Sequence, residues 1–360
     1  MNAIAPGSHV EPPTPDTRPL KIFVRGLNWV GDAIMATPAL SWLRTQFPKA
    51  SITLMVRPWV SAIYEHNPDI DWLWVHDDSA SMGEFLKAAR MIRRERFDIG
   101  IALPNSLRSA ALLRLGGVRR RYGYRRGILR GMMLNRPVPL NPAILQVHQV
   151  YYYLDILRPL CGVPRVPPPQ RAVAGDVERE EVARLLRGLG LDRDQPLFGI
   201  APGSINSEAK RWLPERFAEC ADRLTREWGA AVLLLGSTRE GEVLEEVQKR
   251  CRTQVYNLCG EVNLGQLIAL MERLNGLVTN DAGGMHVAAA LGVPTVAIFG
   301  PTEWTCTYPF SKRAKIVRKE GVPCAPCMLR ECPIEGHPCM SGVTTDMVLD
   351  TLDALTREPA

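Results

Sequence analysis

The chain has 360 residues and a formal charge of +6, with hydrophobic residues at 46% and charged residues at 23%. That length is too great for one ordinary core and suits two domains, and the composition is that of a globular protein. No apolar run approaches the roughly 20 residues that a membrane-spanning helix needs, which excludes a helical bilayer-spanning protein.

Residues 1–20 are rich in Pro and lack the apolar stretch of a signal peptide. They read as a disordered tail on a protein that stays in the cytoplasm. From Lys21 onward, strand-like runs alternate with helix-period segments. Lys21–Arg25 reads as a strand, then a Gly-containing loop leads into a helix starting at Asp32 or Thr37. Thr37-Pro38 has the form of an N-cap with Pro at the first helical position, whereas a start at Asp32 leaves Pro38 to kink the helix. Ser51–Val56, Asp71–Val75 and Asp98–Leu103 read as further strands. Between Asp98 and Asp155 there is no carboxylate, yet nine arginines occur: Arg108, Arg114, Arg119, Arg120, Arg121, Arg125, Arg126, Arg130 and Arg136. Such a stretch either gathers phosphates, lipid headgroups or nucleic acid, or forms a solvated basic face.

Pro164, Pro167, Pro168 and Pro169 then crowd a segment that breaks the rhythm, and residues 164–175 read as a linker. A second alternation follows, with strands at Leu197–Ala201, Ala231–Leu235, Gln254–Leu258, Gly276–Thr279 and Thr295–Phe299. Helices are expected over Pro214–Trp228 and Glu240–Arg250, and from Leu264 and Gly283. The pattern predicts an α/β chain of two Rossmann-like, doubly wound domains facing a cleft, over 21–163 and 176–342, with a C-terminal helix in 343–360.

In open α/β sheets ligands sit beyond the carboxyl ends of the strands, so the strand-to-helix loops are the candidate sites. The first, Arg25-Gly26-Leu27-Asn28-Trp29-Val30-Gly31-Asp32, is not a G-x-G-x-x-G fingerprint. Asp32 is either a helix cap or an ionised carboxylate able to take a proton from an attacking hydroxyl. The second runs from Ala201-Pro202-Gly203-Ser204 to Lys210-Arg211-Trp212, where a turn, a hydroxyl and a point charge combine to suit a phosphate. The third, Thr279-Asn280-Asp281-Ala282-Gly283-Gly284-Met285-His286, opens a helix on two glycines, whose amides make a ready diphosphate site. His286 in its first turn offers a further donor, and Gly300-Pro301-Thr302 extends the site. Glu240, after Leu235-Gly236-Ser237, is either a ribose acceptor or an ordinary acidic residue at a helix start.

With these loops, the chain resembles the bacterial lipopolysaccharide ADP-heptose heptosyltransferases (glycosyltransferase family 9), most of all their heptosyltransferase II branch. Asn28-Trp29-Val30-Gly31-Asp32, Pro202-Gly203-Ser204, Ala209-Lys210-Arg211-Trp212, Asp281-x-Gly-x-Met-His286 and Gly300-Pro301-Thr302 carry the likeness, in order, from about Lys21 to Leu355. The resemblance implies a GT-B fold and inverting, metal-independent transfer of L-glycero-D-manno-heptose from ADP-heptose onto the inner-core heptose of Kdo2-lipid A. It implies Asp32 as general base, with Ser204, Lys210, Glu240, Asp281, Gly283, Gly284, Met285 and His286 holding the donor. No cofactor and no nucleic acid are expected. The implied acceptor is anionic and lipid-linked, so Arg119, Arg120, Arg125, Arg126 and Arg130, interleaved with Ile128, Leu129, Met132, Met133 and Leu134, are expected to face it at the inner surface of the cytoplasmic membrane.

Two features depart from that pattern. Position 282 is Ala where relatives carry a hydroxyl. Cys324, Cys327, Cys332 and Cys339 have an irregular spacing that reads as reduced thiols in a compact loop, with a bound metal as the alternative. A non-catalytic nucleotide-sugar sensor would need the second-domain phosphate site but would have no use for Asp32.

Overall fold

In the computed structural model, residues 18–191 and 195–357 are described; the tail expected over 1–20 falls, as far as residue 17, outside them. Six parallel strands build the first sheet: β1 (Lys21–Arg25), β2 (Ser51–Val56), β3 (Trp72–Val75), β4 (Ile99–Ala102), β5 (Arg120–Tyr124) and β6 (Arg136–Val138), in the order β3-β2-β1-β4-β5-β6. The second sheet holds β7 (Leu197–Ala201), β8 (Ala231–Leu234), β9 (Tyr256–Asn257), β10 (Gly276–Asn280), β11 (Thr295–Phe299) and β12 (Ala314–Arg318), in the order β12-β11-β10-β7-β8-β9. Read from the other edge, the second order repeats the first, the dinucleotide-fold arrangement in each half. The chain is thus an α/β protein of two Rossmann-like halves.

Each strand order reverses beside the half's first strand, between β1 and β4 and between β7 and β10. The loops after these strands therefore open into a crevice. Arg25 at the end of β1 pairs with Met55 on one side and Ala102 on the other, which places the following loop at the middle of the sheet's carboxyl edge. The central strands are apolar on both faces because helices cover both, as parallel sheets require.

The choice between helix starts at Asp32 and Thr37 resolves as two helices, Val30–Met35 and Thr37–Gln46. Pro38 has no N–H to give the carbonyl of Ile34, and the Thr37 hydroxyl donates to that carbonyl instead at 2.7 Å. The break at Ala36 leaves Val30–Met35 as a short, separately aimed piece. It packs against the helix Gly283–Ala290 of the second half. One apolar core runs through this seam, from Ile22 and Ile34 to Leu277 and Val287. Residues 162–175 form no regular element, and the Arg171 amide ties them back to the Thr37 hydroxyl at 2.9 Å.

Candidate active site

The loop after β1 is held from below by a buried ion pair that the sequence did not point to. Arg25 Nη2 lies 2.7 Å from Asp78 Oδ1, Nη1 donates to the Gly26 carbonyl at 2.7 Å, and Nη2 reaches Asn28 Oδ1 at 3.3 Å. Burial pulls the guanidinium below its ordinary range and Asp78 opposes this. Removing one partner of so buried a pair costs about 3–5 kcal/mol, because the other is left charged and dry. From the outer side, Trp59 Nε1 donates to the Asn28 carbonyl at 2.7 Å.

Asp32 occupies the first turn of Val30–Met35, inside the helix, and no side chain caps that helix. The cap reading therefore does not hold. Its Oδ1 instead accepts from the Tyr153 hydroxyl at 3.2 Å. Burial raises the Asp32 carboxyl above the usual carboxylate range, and the bond from Tyr153 works against that rise. Tyr153 is itself buried, which pushes its hydroxyl far up and keeps it a donor. It comes from the helix Gln149–Asp155, far along the chain from Asp32. Nothing in an apolar Tyr-Tyr-Tyr-Leu run marks it in the sequence.

Across the seam stands the third loop. A Cβ on Gly31 would lie 2.8 Å from His286 Cδ2, and one on Gly283 would lie 3.1 Å from Val30 Cβ. The residue before Asp32 thus rests on the His286 ring, with no room for a side chain between them. Burial pulls His286 down to about 4, Asp281 opposing and His148 and Lys210 reinforcing, so the ring is neutral at physiological pH. It offers a ligand a neutral donor or acceptor and no positive charge. Among the described residues its Nδ1 is buried without a hydrogen-bond partner, an atom that calls for a polar ligand. His148, unmarked by the sequence, also belongs to this seam. Its Nε2 sits 2.8 Å from the Tyr308 carbonyl and its Nδ1 accepts from the Val150 amide, which fixes the tautomer with the proton on Nε2.

The second loop is joined to the third. Lys210 Nζ lies 2.7 Å from Asp281 Oδ2, which also accepts from the Thr302 hydroxyl at 2.8 Å. Asn280, fully buried, accepts from the Trp212 amide at 3.0 Å and donates to the Pro202 carbonyl at 2.6 Å, stitching the second loop to the third. Ser204 is buried at the turn, and its carbonyl accepts from Arg211 Nη2 at 3.3 Å. Glu240 holds the helix-start place that one of its readings gave it. One oxygen closes a capping box with the Ser237 amide and hydroxyl at 2.9 and 2.8 Å, while the other faces Gly203 so closely that a Cβ there would stand 2.0 Å away. Met285 is a correction. Its side chain is fully buried against Ala297 and Phe299, and its amide donates to the Ala282 carbonyl, so the side chain packs in the core and is not presented to a ligand.

The short helix that bears Asp32 in one half thus packs on a helix start in the other, beside a polar ring and the Lys210–Asp281 pair. The profile of glycosyltransferase family 9 (heptosyltransferase) matches residues 85–337. The chain belongs to this family. It is 30% identical to lipopolysaccharide heptosyltransferase 2 of Escherichia coli K12, over 93% of this chain and 98% of that one. The solved E. coli ADP-heptose lipopolysaccharide heptosyltransferase II superposes with a TM-score of 0.80 at 29% identity, covering 94% of this chain and 98% of that one. A family 9 glycosyltransferase from Veillonella parvula gives 0.85 at 26% identity, with the same coverages of 94% and 98%.

The five arginines expected to face the acceptor in this family 9 chain divide into three groups. Arg125 and Arg126 are exposed and follow β5 at its carboxyl end, the edge that carries Asp32. Arg119 and Arg120 lie at the amino end of β5, on the opposite edge, where Arg119 faces Asp98 at 3.7 Å. Their placement there removes them from the cleft. Arg130 is buried, its guanidinium donating to the Tyr124 carbonyl at 2.9 Å, the Ser106 carbonyl at 2.5 Å and the Ser109 hydroxyl at 3.1 Å. It fastens a loop and is kept off the surface.

The four late cysteines gather about Cys339, whose thiol is pushed up to about 11 by burial and by Cys332, Cys324 and Cys327. Among the described residues, the ligand atoms that all come within 4.8 Å of one another belong instead to Glu65, His66 and Glu178. The cysteine segment borders the second loop and the loop after β11, for the Ala209 amide donates to the Arg330 carbonyl and the Met328 amide to the Pro301 carbonyl.

Proposed function

We propose that this chain moves L-glycero-D-manno-heptose from ADP-heptose onto the inner-core heptose of Kdo2-lipid A, with inversion at the anomeric carbon, at the inner surface of the cytoplasmic membrane. The observation that carries the reading is the seam, where Gly31, the residue before Asp32, rests on the His286 ring.

In this scheme the acceptor hydroxyl attacks the anomeric carbon as its proton passes to Asp32, and the bond from that carbon to the β-phosphate oxygen breaks. Charge develops on the departing diphosphate. Lys210 and the first amides of the helix Gly283–Ala290, with its dipole, stabilise that charge where it appears. Asp281 holds Lys210 in place and contacts the sugar hydroxyls, His286 gives a neutral bond to the phosphates, and the free oxygen of Glu240 takes the ribose. Arg125 and Arg126 receive the anionic acceptor.

Incubation of the purified protein with ADP-heptose and heptosylated Kdo2-lipid A is expected to release ADP and to extend the acceptor by one heptose. ADP-heptose that binds and is never turned over would mean a sensor instead. Tyr153→Phe offers a finer check. Without the hydroxyl bond, the Asp32 carboxyl rises further, so the acid limb of the kcat/KM profile moves to higher pH and the rate recovers at alkaline pH. A loss equal at every pH would assign Tyr153 to packing alone.

A further inference from the structure

We infer that the short helix Ile128–Met133, with the Arg125-Arg126 turn before it, is a docking element that seats its apolar face in an anionic phospholipid surface. A helix at a protein surface ordinarily turns charge outward and apolar residues inward. This one is reversed. Its single charged side chain, Arg130, is drawn beneath it and bonded to the Tyr124 and Ser106 carbonyls, while Ile128, Leu129 and Met132 are 77%, 63% and 61% exposed. Arg114 Nη1 donates to the Met132 carbonyl at 2.8 Å, so the helix is fixed in that attitude at both ends. Isolated exposed apolar residues are ordinary, but three on one short helix make a patch that wants a partner.

The surrounding charge selects the partner. Arg125, Arg126 and Arg114 stand exposed around the patch, Arg125 lying along the helix so that a Cβ on Gly131 would touch its Cγ at 3.4 Å. The stretch from Asp98 to Asp155 contains no carboxylate between its ends. An aliphatic wedge ringed by guanidinium groups matches a surface with negative headgroups above an acyl layer. Its place in the fold gives it a use. The Arg125-Arg126 turn lies at the carboxyl end of β5, two strands from β1 and so about 10 Å across the sheet from the loop bearing Asp32, and the helix runs back from it toward the amino end of β5, where the Met133 carbonyl accepts from Arg121 Nε at 2.9 Å. This use rests on the lipid-linked acceptor proposed above; the binding itself does not.

Co-sedimentation of the full chain with phosphatidylglycerol–phosphatidylethanolamine vesicles, and separately with phosphatidylcholine vesicles, tests the inference. Binding is expected to the first and not the second, to weaken with salt, and to fall roughly tenfold or more in Ile128→Ser/Leu129→Ser/Met132→Ser. The exposed single change Leu129→Glu is expected to act in the same direction. Affinity for ADP and melting temperature stay unchanged in both variants, which shows that they fold. Absent binding to the anionic vesicles, equal binding to phosphatidylcholine, or equal binding of wild type and both variants would overturn the inference. Vesicle binding needs neither donor nor turnover, so its failure would leave heptosyl transfer standing, and a failed transfer assay would leave the vesicle result standing.

Discussion

Asp32→Asn is expected to lower kcat by roughly 10²–10⁴-fold, the usual contribution of a positioned general base, while the Kd for ADP-heptose changes little. The amide is isosteric and its oxygen still accepts from Tyr153, so the loop after β1 keeps its shape. What is lost is the proton acceptor. The same change is expected to raise the melting temperature at neutral pH. Burial raises the Asp32 carboxyl in the folded protein, so the fold binds that proton more tightly than the unfolded chain does. The stability this contributes is complete below the unfolded carboxylate range and is lost as pH rises through the folded value. Above that window the folded protein carries a partly dry anion, which asparagine removes. The gain should therefore shrink as the melt is repeated at acid pH. Activity retained in Asp32→Asn would remove the base from the mechanism, and a fall in melting temperature would show that the carboxylate is held by favourable contacts and not against its desolvation.

That coupling of instability to chemistry accounts for the architecture around the proposed base. Val30–Met35 is short because Pro38 ends its hydrogen-bond ladder, and its position comes from packing on the other half and from the buried Arg25–Asp78 pair below it. An anion in so dry a place needs a rigid frame, and the frame is assembled from both halves. A side chain at position 31 would separate Asp32 from His286 by pushing against a buried ring.

Much of this was legible in the sequence where one local pattern decided the outcome. Buried parallel strands read as continuous apolar runs, so β1, β2, β4, β7, β8, β10 and β11 could be placed, as could the loops that follow them. The strands that escaped notice were β5, β6 and β12. Arg120-Arg121-Tyr122-Gly123-Tyr124 has no strand-like apolar run, and it pairs because β4 and β6 flank it. Charge misled in the same segment. A run of arginines reads as one basic face, but the fold sends Arg119 and Arg120 to the far edge of the sheet and draws Arg130 inside, leaving Arg125 and Arg126 near the cleft. Contacts made across long stretches of chain were beyond reach for a related reason. Tyr153 and His148 acquire their roles only when the helix Gln149–Asp155 is folded against Asp32 and Tyr308. Met285 shows the reverse limit, since a motif can name a position without saying which way its side chain points.

Lys210→Ala is expected to cost roughly 10²–10³-fold in kcat, because in the proposed mechanism the ammonium meets charge that is largest as the diphosphate leaves. Donor affinity should fall by a smaller factor. The substitution also breaks the Lys210–Asp281 pair, leaving Asp281 buried with the Thr302 hydroxyl as its remaining side-chain donor. Loss of a fully buried partner would cost about 3–5 kcal/mol, but Lys210 keeps contact with solvent, so a loss of about 1–2 kcal/mol is expected. The double variant Lys210→Ala/Asp281→Asn separates the two effects. It should recover most of the stability, since no unpaired charge remains, and none of the turnover, since the leaving group still lacks its cation. Lys210→Arg should restore part of kcat, its charge being right and its fork geometry wrong for a point contact with the phosphate. If Lys210→Ala instead raised KM and left kcat intact, the lysine would bind donor and transition state equally, and stabilisation of the leaving diphosphate would fall to the amides of Gly283 and Gly284.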